Sequence, residues 1–118
     1  MSVELSFSTD PPPHPGAVLR NHVLPELRLT VTQAACELAI ARQTLHRVLS
    51  GTAAVTPEMA ARLARLCGIS GHFWLDLQQA HDLWHAQRAL ADTLDRIPAH
   101  SLPDTLKTDI LARHARSR

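Results

Sequence analysis

The stretch TVTQAACELAIARQTLHRVLSG, residues 30–51, decides the fold. The Thr30 hydroxyl suits the N-cap of a helix over residues 31–38, because it can accept from a free backbone N–H of the first turn. Ala34, Ala35 and Leu38 give that helix its inward stripe, small enough to let a second helix approach closely. Ala39-Ile40-Ala41 is long enough only for a turn. Over residues 42–50, Leu45, Val48 and Leu49 share the inner side, while Arg42, Gln43, His46, Arg47 and Ser50 share the outer one. Gly51 ends the segment, since glycine takes the left-handed backbone conformation that closes a helix. Two short helices joined by a tight turn, the second polar and basic outside, form a helix-turn-helix.

On the N-terminal side, MSVELSFS alternates Val3, Leu5 and Phe7 with polar residues, a period-2 pattern too short to stand alone as a strand. It is a flexible arm or a strand that pairs with another chain. The proline-rich run Asp10 to Gly16 excludes helix and reads as a stiff linker. Residues 17–24 then suit a short helix carrying Val18, Leu19 and Val23 on one side and stopped by Pro25. On the C-terminal side, Thr56-Pro57-Glu58 combines an N-cap, a first-turn proline and an acid at the positive helix end. Met59, Leu63, Leu66 and Cys67 follow on one face, up to Gly68. Ser70 caps a further helix, where Phe73, Leu77, Ala80 and Trp84 recur at helical spacing and are expected to extend the core. The pattern weakens through Leu90 and Leu94, breaks at Ile97-Pro98, and restarts after Ser101-Leu102-Pro103-Asp104 with Leu106, Ile110 and Leu111. The expected division is an arm over 1–13, a helix-turn-helix domain over 14–84 and a helical extension over 85–118.

Composition agrees. The 118 residues are 45% hydrophobic, enough for one core and too few for two full domains. Ala and Leu dominate the apolar set, which favours an all-α chain. Two Phe, two Trp and no Tyr argue against a nucleic-acid surface of stacked rings. The formal net charge of +1 says little, but residues 16–68 carry six arginines against three glutamates, a bias that permits DNA binding. Cys36 and Cys67 have no metal-ligand spacing and read as small buried residues with reduced thiols. No leader and no membrane-length apolar run is visible, so a soluble, intracellular protein is expected.

The outer face of residues 42–50 carries the chemistry. A recognition helix lies in the major groove, where Arg makes a bidentate contact to guanine and Gln to adenine. Arg42, Gln43, Thr44, His46 and Arg47 are side chains of that kind. Thr30, Thr32 and Gln33, at the start of the bracing helix, can bond phosphate oxygens. The same residues also suit a plain solvated face, and their types alone leave both readings open. His81 and His85 stand at i, i+4 as in a zinc-binding HExxH helix, but the acid between them is the shorter Asp82 and no third ligand is suitably spaced. No metal, no cofactor and no catalytic residue is expected.

The segment His14 to Leu83 resembles the HigA family of antitoxins, helix-turn-helix proteins of bacterial type II toxin–antitoxin modules. The resemblance rests on His14-Pro15-Gly16, Arg42-Gln43-Thr44-Leu45, Leu49-Ser50-Gly51, Thr56-Pro57-Glu58-Met59 and Phe73-Trp74-Leu75, with Leu77-Gln78 and Asp82-Leu83 after them. It implies a five-helix, lambda-repressor-like DNA-binding domain in the bacterial cytoplasm and a homodimer on palindromic operator DNA. It also implies a partner toxin of the HigB type, a RelE-like mRNA endoribonuclease. The family's recognition arginine falls on Arg47, and its Arg-Gln pair on Arg42 and Gln43. Three positions depart from the family: Ala39 replaces a common Gly, Ala41 a capping residue, and His81 a common Tyr. The alternative from another class is a stand-alone transcription regulator of the same fold with no toxin. Apolar surface for a dimer is expected on Trp84, Leu90 and Leu94, or on Val3, Leu5 and Phe7, with the C-terminal side favoured. Arg20, outside the recognition helix, is expected to matter little for base preference.

Overall fold

The structure is a computed structural model and describes residues 10–117, with side chains to residue 115. The alternating residues 1–8 lie outside that range. Seven helices and no strand occur among the described residues. The first, α1, joins three pieces, Pro15–Val18, a π-helical turn Leu19–Val23, and Leu24–Leu27. Then come α2 (Val31–Leu38), α3 (Arg42–Ser50), α4 (Pro57–Cys67), α5 (Gly71–Ala89), α6 (Ala91–Arg96) and α7 (Asp104–Ser117). The chain is all-α, with the five-helix, lambda-repressor-like arrangement in α1–α5 and two further helices behind it.

Pro25 does not stop α1 as the sequence suggests. Its missing N–H and its ring would disrupt an ordinary helical turn. The turn before it instead widens to π geometry, with the Leu24 N–H on the Leu19 carbonyl, and Pro25 becomes a first-turn residue of the last piece. The helix runs on to Leu27 and ends at Arg28, which takes left-handed geometry (φ 57°). Leu19, Val23 and Leu24 are buried by this path.

The starts and stops of α2–α5 are local chemistry. Thr30 and Gln33 form a reciprocal capping box, each side chain accepting from the other's backbone N–H at 3.1 and 2.9 Å. Thr56 accepts from the Met59 N–H and Ser70 from the His72 N–H. Gly51 and Gly68 close α3 and α4 with left-handed backbones. The core draws Leu19, Leu38, Leu45, Val48, Leu63 and Trp74 from all five helices. Gly16 is where α1 crosses α3: a Cβ there would collide with the Val48 carbonyl oxygen.

Two expectations about burial fail. Cys36 is exposed and Cys67 half-buried, its thiol donating to the Leu63 carbonyl. In α5 the buried ridge is Trp74 and Gln78, not Phe73, Leu77, Ala80 and Trp84. Phe73 is 40% exposed, Ala80 is exposed, and Leu77 and Trp84 are half-buried, so that apolar stripe is not part of the buried core. Gln78 belongs inside because it is satisfied there. Its carbonyl oxygen accepts from the Val55 N–H at 2.7 Å, and its amide donates to Asp82 at 3.0 Å. Helix α5 itself extends from Gly71 to Ala89.

Candidate nucleic-acid interface

Helices α2 and α3 meet at the turn Ala39-Ile40-Ala41. Ala39 takes the left-handed conformation, φ 59°, with no glycine to make it cheap. Ala41 stands at the N-cap of α3 with extended backbone and no side-chain cap. The motif therefore forms although two of its turn residues are not the best ones for it. The packing of Ala34, Ala35 and Leu38 on Leu45 and Val48 outweighs a strain of about 1–2 kcal/mol.

Arg42, Gln43, Thr44, His46 and Arg47 are all exposed. The side chains of Arg42, Gln43, His46 and Arg47 form no hydrogen bond, ion pair or ring contact with a described residue. Arg42, Gln43 and His46 border one shallow concavity of about 570 Å³. Unspent guanidinium, amide and imidazole groups thus share one face. Thr30, Thr32 and Gln33 are exposed at the start of α2. The capping box uses the oxygens of Thr30 and Gln33 but leaves the Thr30 hydroxyl proton and the Gln33 Nε2 protons free to donate.

Several contacts that hold this face were not anticipated from the sequence. His14 caps α1, its Nδ1 accepting from the Gly16 N–H at 2.9 Å. Its ring lies over Gly51 and meets the His81 ring edge-on, with centroids 5.1 Å apart. Burial, and then the neighbouring His81, push the His14 pKa below its usual range; Asp82 and a hydrogen bond to the Ala53 backbone oppose this. Arg20 and Arg62 reach carbonyls at the ends of α3 and α2. None of these contacts has a local signal beyond the His14-Pro15-Gly16 spacing. His81 and His85 approach to 4.5 Å between centroids, but no group of three or more potential ligands that could hold a metal ion occurs among the described residues. No described helix is long and apolar enough to cross a membrane.

Known proteins share this architecture. Residues 16–72 match a family model described as a helix-turn-helix domain. The chain is 38% identical over 78 residues to the uncharacterized HTH-type transcriptional regulator YddM of Escherichia coli K12, covering 66% of this chain and 82% of that protein. Among solved structures it is similar to Pseudomonas aeruginosa antitoxin HigA with the higBA promoter, at TM-score 0.72 and 27% identity. That match covers 77% of this chain and 99% of HigA. It is likewise similar to the antitoxin GraA in complex with its operator, at TM-score 0.73 and 28% identity, over 81% of this chain and 97% of GraA. Regulators and antitoxins of this kind are not enzymes, and neither is this chain. The chain thus belongs to the family of HTH-type transcriptional regulators, and in fold it is similar to the HigA and GraA antitoxins.

Proposed function

We propose that this protein is a cytoplasmic bacterial antitoxin that binds its own operator DNA as a dimeric repressor and sequesters a HigB-like, RelE-type mRNA endoribonuclease. The observation that carries the DNA half is the outer face of α3, where Arg42, Gln43, His46 and Arg47 are exposed together and unpartnered. Charged donors held this way on a braced helix suit guanine and adenine edges in the major groove. Arg42, Gln43 and Arg47 read bases; Thr44 and His46 lie beside them. Thr30, Thr32 and Gln33 donate to the phosphates and fix register. The likeness to HigA and GraA, both solved with their own DNA, supports this assignment.

A single head of this size spans too few base pairs for operator-grade affinity, so two copies read two half-sites. The surface suited to that pairing is the outward stripe of α5, Phe73, Leu77, Ala80 and Trp84, continued by Leu90 and Leu94. Its 4-3-4 spacing is that of a helix seam. The toxin half rests on the likeness to antitoxins. A second reading, a regulator with no toxin, is favoured by those sequence relatives that carry regulator names, such as YddM and YbaQ. Co-purification of the untagged protein with the product of the neighbouring gene, then a footprint on the shared upstream DNA, tests both. A 1:1 complex plus a palindromic footprint supports the antitoxin. A footprint without a co-purifying toxin supports the regulator. No protected site sinks the operator reading.

A further inference from the structure

A helix leaves its last carbonyls without intrahelical donors, so something else must satisfy them. At the end of α2, the N–H groups of Ala39 and Ile40 turn back to Cys36 and Ala35, at 3.1 and 3.0 Å. At the end of α3, the Gly51 N–H takes the Val48 carbonyl at 3.1 Å. The Arg47 carbonyl receives the N–H groups of Thr52 and Ala53, at 3.0 and 3.1 Å, and the hydroxyls of Ser50 and Thr52. At each end an arginine from outside the motif takes a further carbonyl. Arg62 of α4 donates through Nη1 to the Leu38 carbonyl at 2.7 Å and to Ala39 at 3.3 Å. Arg20 of α1 donates through Nη1 to the Leu49 carbonyl at 2.7 Å. The partners lie 24 and 29 residues apart in the chain.

The two clamps are not equally braced. Arg62 is also held by Glu58 at 3.0 Å, whereas among the described residues Arg20 has only the Asn21 side chain, at 3.2 Å, besides Leu49. We infer that Arg20 is a positioning residue for base reading, tying the C-terminal end of α3 to α1 and so setting the tilt at which His46 and Arg47 meet DNA. This rests on the operator-binding reading above. Bidentate contacts tolerate about 0.5 Å and 10–20° of misplacement. Without Arg20 the part-buried Leu49 carbonyl lacks its cationic donor, and the end of α3 swings toward water to find another. The contact also puts a positive charge at the negative end of the helix dipole. This inference departs from the expectation that Arg20 matters little for base preference.

The test compares wild type and Arg20→Met, full chain, by fluorescence anisotropy on the footprinted upstream DNA and on a scrambled duplex of equal length. Salt is varied over about 50–200 mM. For Arg20→Met the ratio of specific to scrambled affinity falls about tenfold, while scrambled-DNA affinity and the log–log salt slope stay at wild-type values. An unchanged ratio overturns the inference. So do equal losses on both duplexes with a slope shallower by about one, the signature of a phosphate contact. If wild type itself does not discriminate, the operator reading fails and takes this inference with it. If Arg20→Met lacks a cooperative melt, Arg20→Lys decides. Its single nitrogen replaces the two separate guanidinium nitrogens that meet Leu49 and Asn21, so the ratio falls a few-fold with the slope unchanged, and a wild-type ratio there overturns the inference.

Discussion

The head of the molecule and its C-terminal extension spend their apolar residues in opposite ways. Among the described residues, the buried apolar side chains lie between Pro15 and Trp74. From His85 to Ala115 every residue is exposed, including Leu90, Leu94, Ile97, Leu102, Leu106, Ile110 and Leu111. The head closes its own core, and its helices are stable because they bury each other. The extension has helical periodicity but nothing among the described residues to bury it against, and helices as short as α6 and α7 are marginal alone in water. The radius of gyration, 17.7 Å against about 13–14 Å for a compact chain of this length, records the same division. Stability and the DNA-facing chemistry therefore belong to one region, and the other region's apolar residues act through what they meet.

The largest effect that separates the two regions is Trp74→Ala. Trp74 is fully buried, and its loss should cost about 3–5 kcal/mol, much of the stability of a domain this size. Ile110→Ala, at a site 48% exposed, should stay within about 0.5 kcal/mol. Urea melts of the two variants measure this directly. Equal destabilisation would mean that the extension is part of the folding unit after all.

Arg47→Ala places function on the same map. Loss of a bidentate base contact should weaken operator binding by about 1–3 kcal/mol and relax preference at one base pair. Arg113→Ala, in the extension and already paired with Asp109, should leave base preference intact. Affinity measured across a set of single-base operator variants checks both, and a matching loss of preference in Arg113→Ala would remove base reading from α3.

What could be read from the sequence follows the same line. Thr30, Gly51, Thr56-Pro57 and Ser70 mark helix ends correctly because capping is chemistry between neighbours. The exposed side of α3 is legible for a similar reason, since period alone separates Leu45, Val48 and Leu49 from Arg42, Gln43, His46 and Arg47. The orientation of α5 is not legible. Phe73, Leu77, Ala80 and Trp84 form the better apolar stripe, yet the core takes Trp74 and Gln78. The reason lies far away, in the Val55 N–H that Gln78 satisfies. The contacts of Arg20 and Arg62 escape notice for the same cause, as their partners are backbone carbonyls on other helices. At Pro25 the rule that proline stops a helix loses to a π turn that buries Leu19, Val23 and Leu24.

His14 sits where the head meets α5, and its titration probes that junction. Nδ1 must stay unprotonated to accept from the Gly16 N–H, and burial together with His81 lowers the pKa. In the unfolded chain His14 takes up its proton near the ordinary value of 6.5; in the folded chain it does so only at lower pH. The unfolded state thus binds more protons between those two values. Stability should fall as pH drops below 6.5, and level off once folded His14 is protonated too. His14→Asn keeps an acceptor for the Gly16 N–H without a titratable ring, so its melting midpoint should depend less steeply on pH over that interval. A slope identical to wild type would assign the pH dependence to other groups.

The smallest expected effect tests whether the head's motif is held by packing rather than by its turn. Ala39 adopts φ 59° at the end of α2, a conformation that costs an L-residue about 1–2 kcal/mol and glycine almost nothing. Glycine returns part of that gain through the greater freedom of the unfolded chain. Ala39→Gly should therefore stabilise the head by about 0.5–1 kcal/mol, seen as a higher urea midpoint with an unchanged slope. The contacts that orient α3 involve other groups: Arg62 meets the backbone carbonyls of Leu38 and Ala39, and Arg20 that of Leu49. Operator affinity at low urea should then match wild type. A stabilised variant that binds DNA less well would show that the strained alanine itself sets the angle between the two helices.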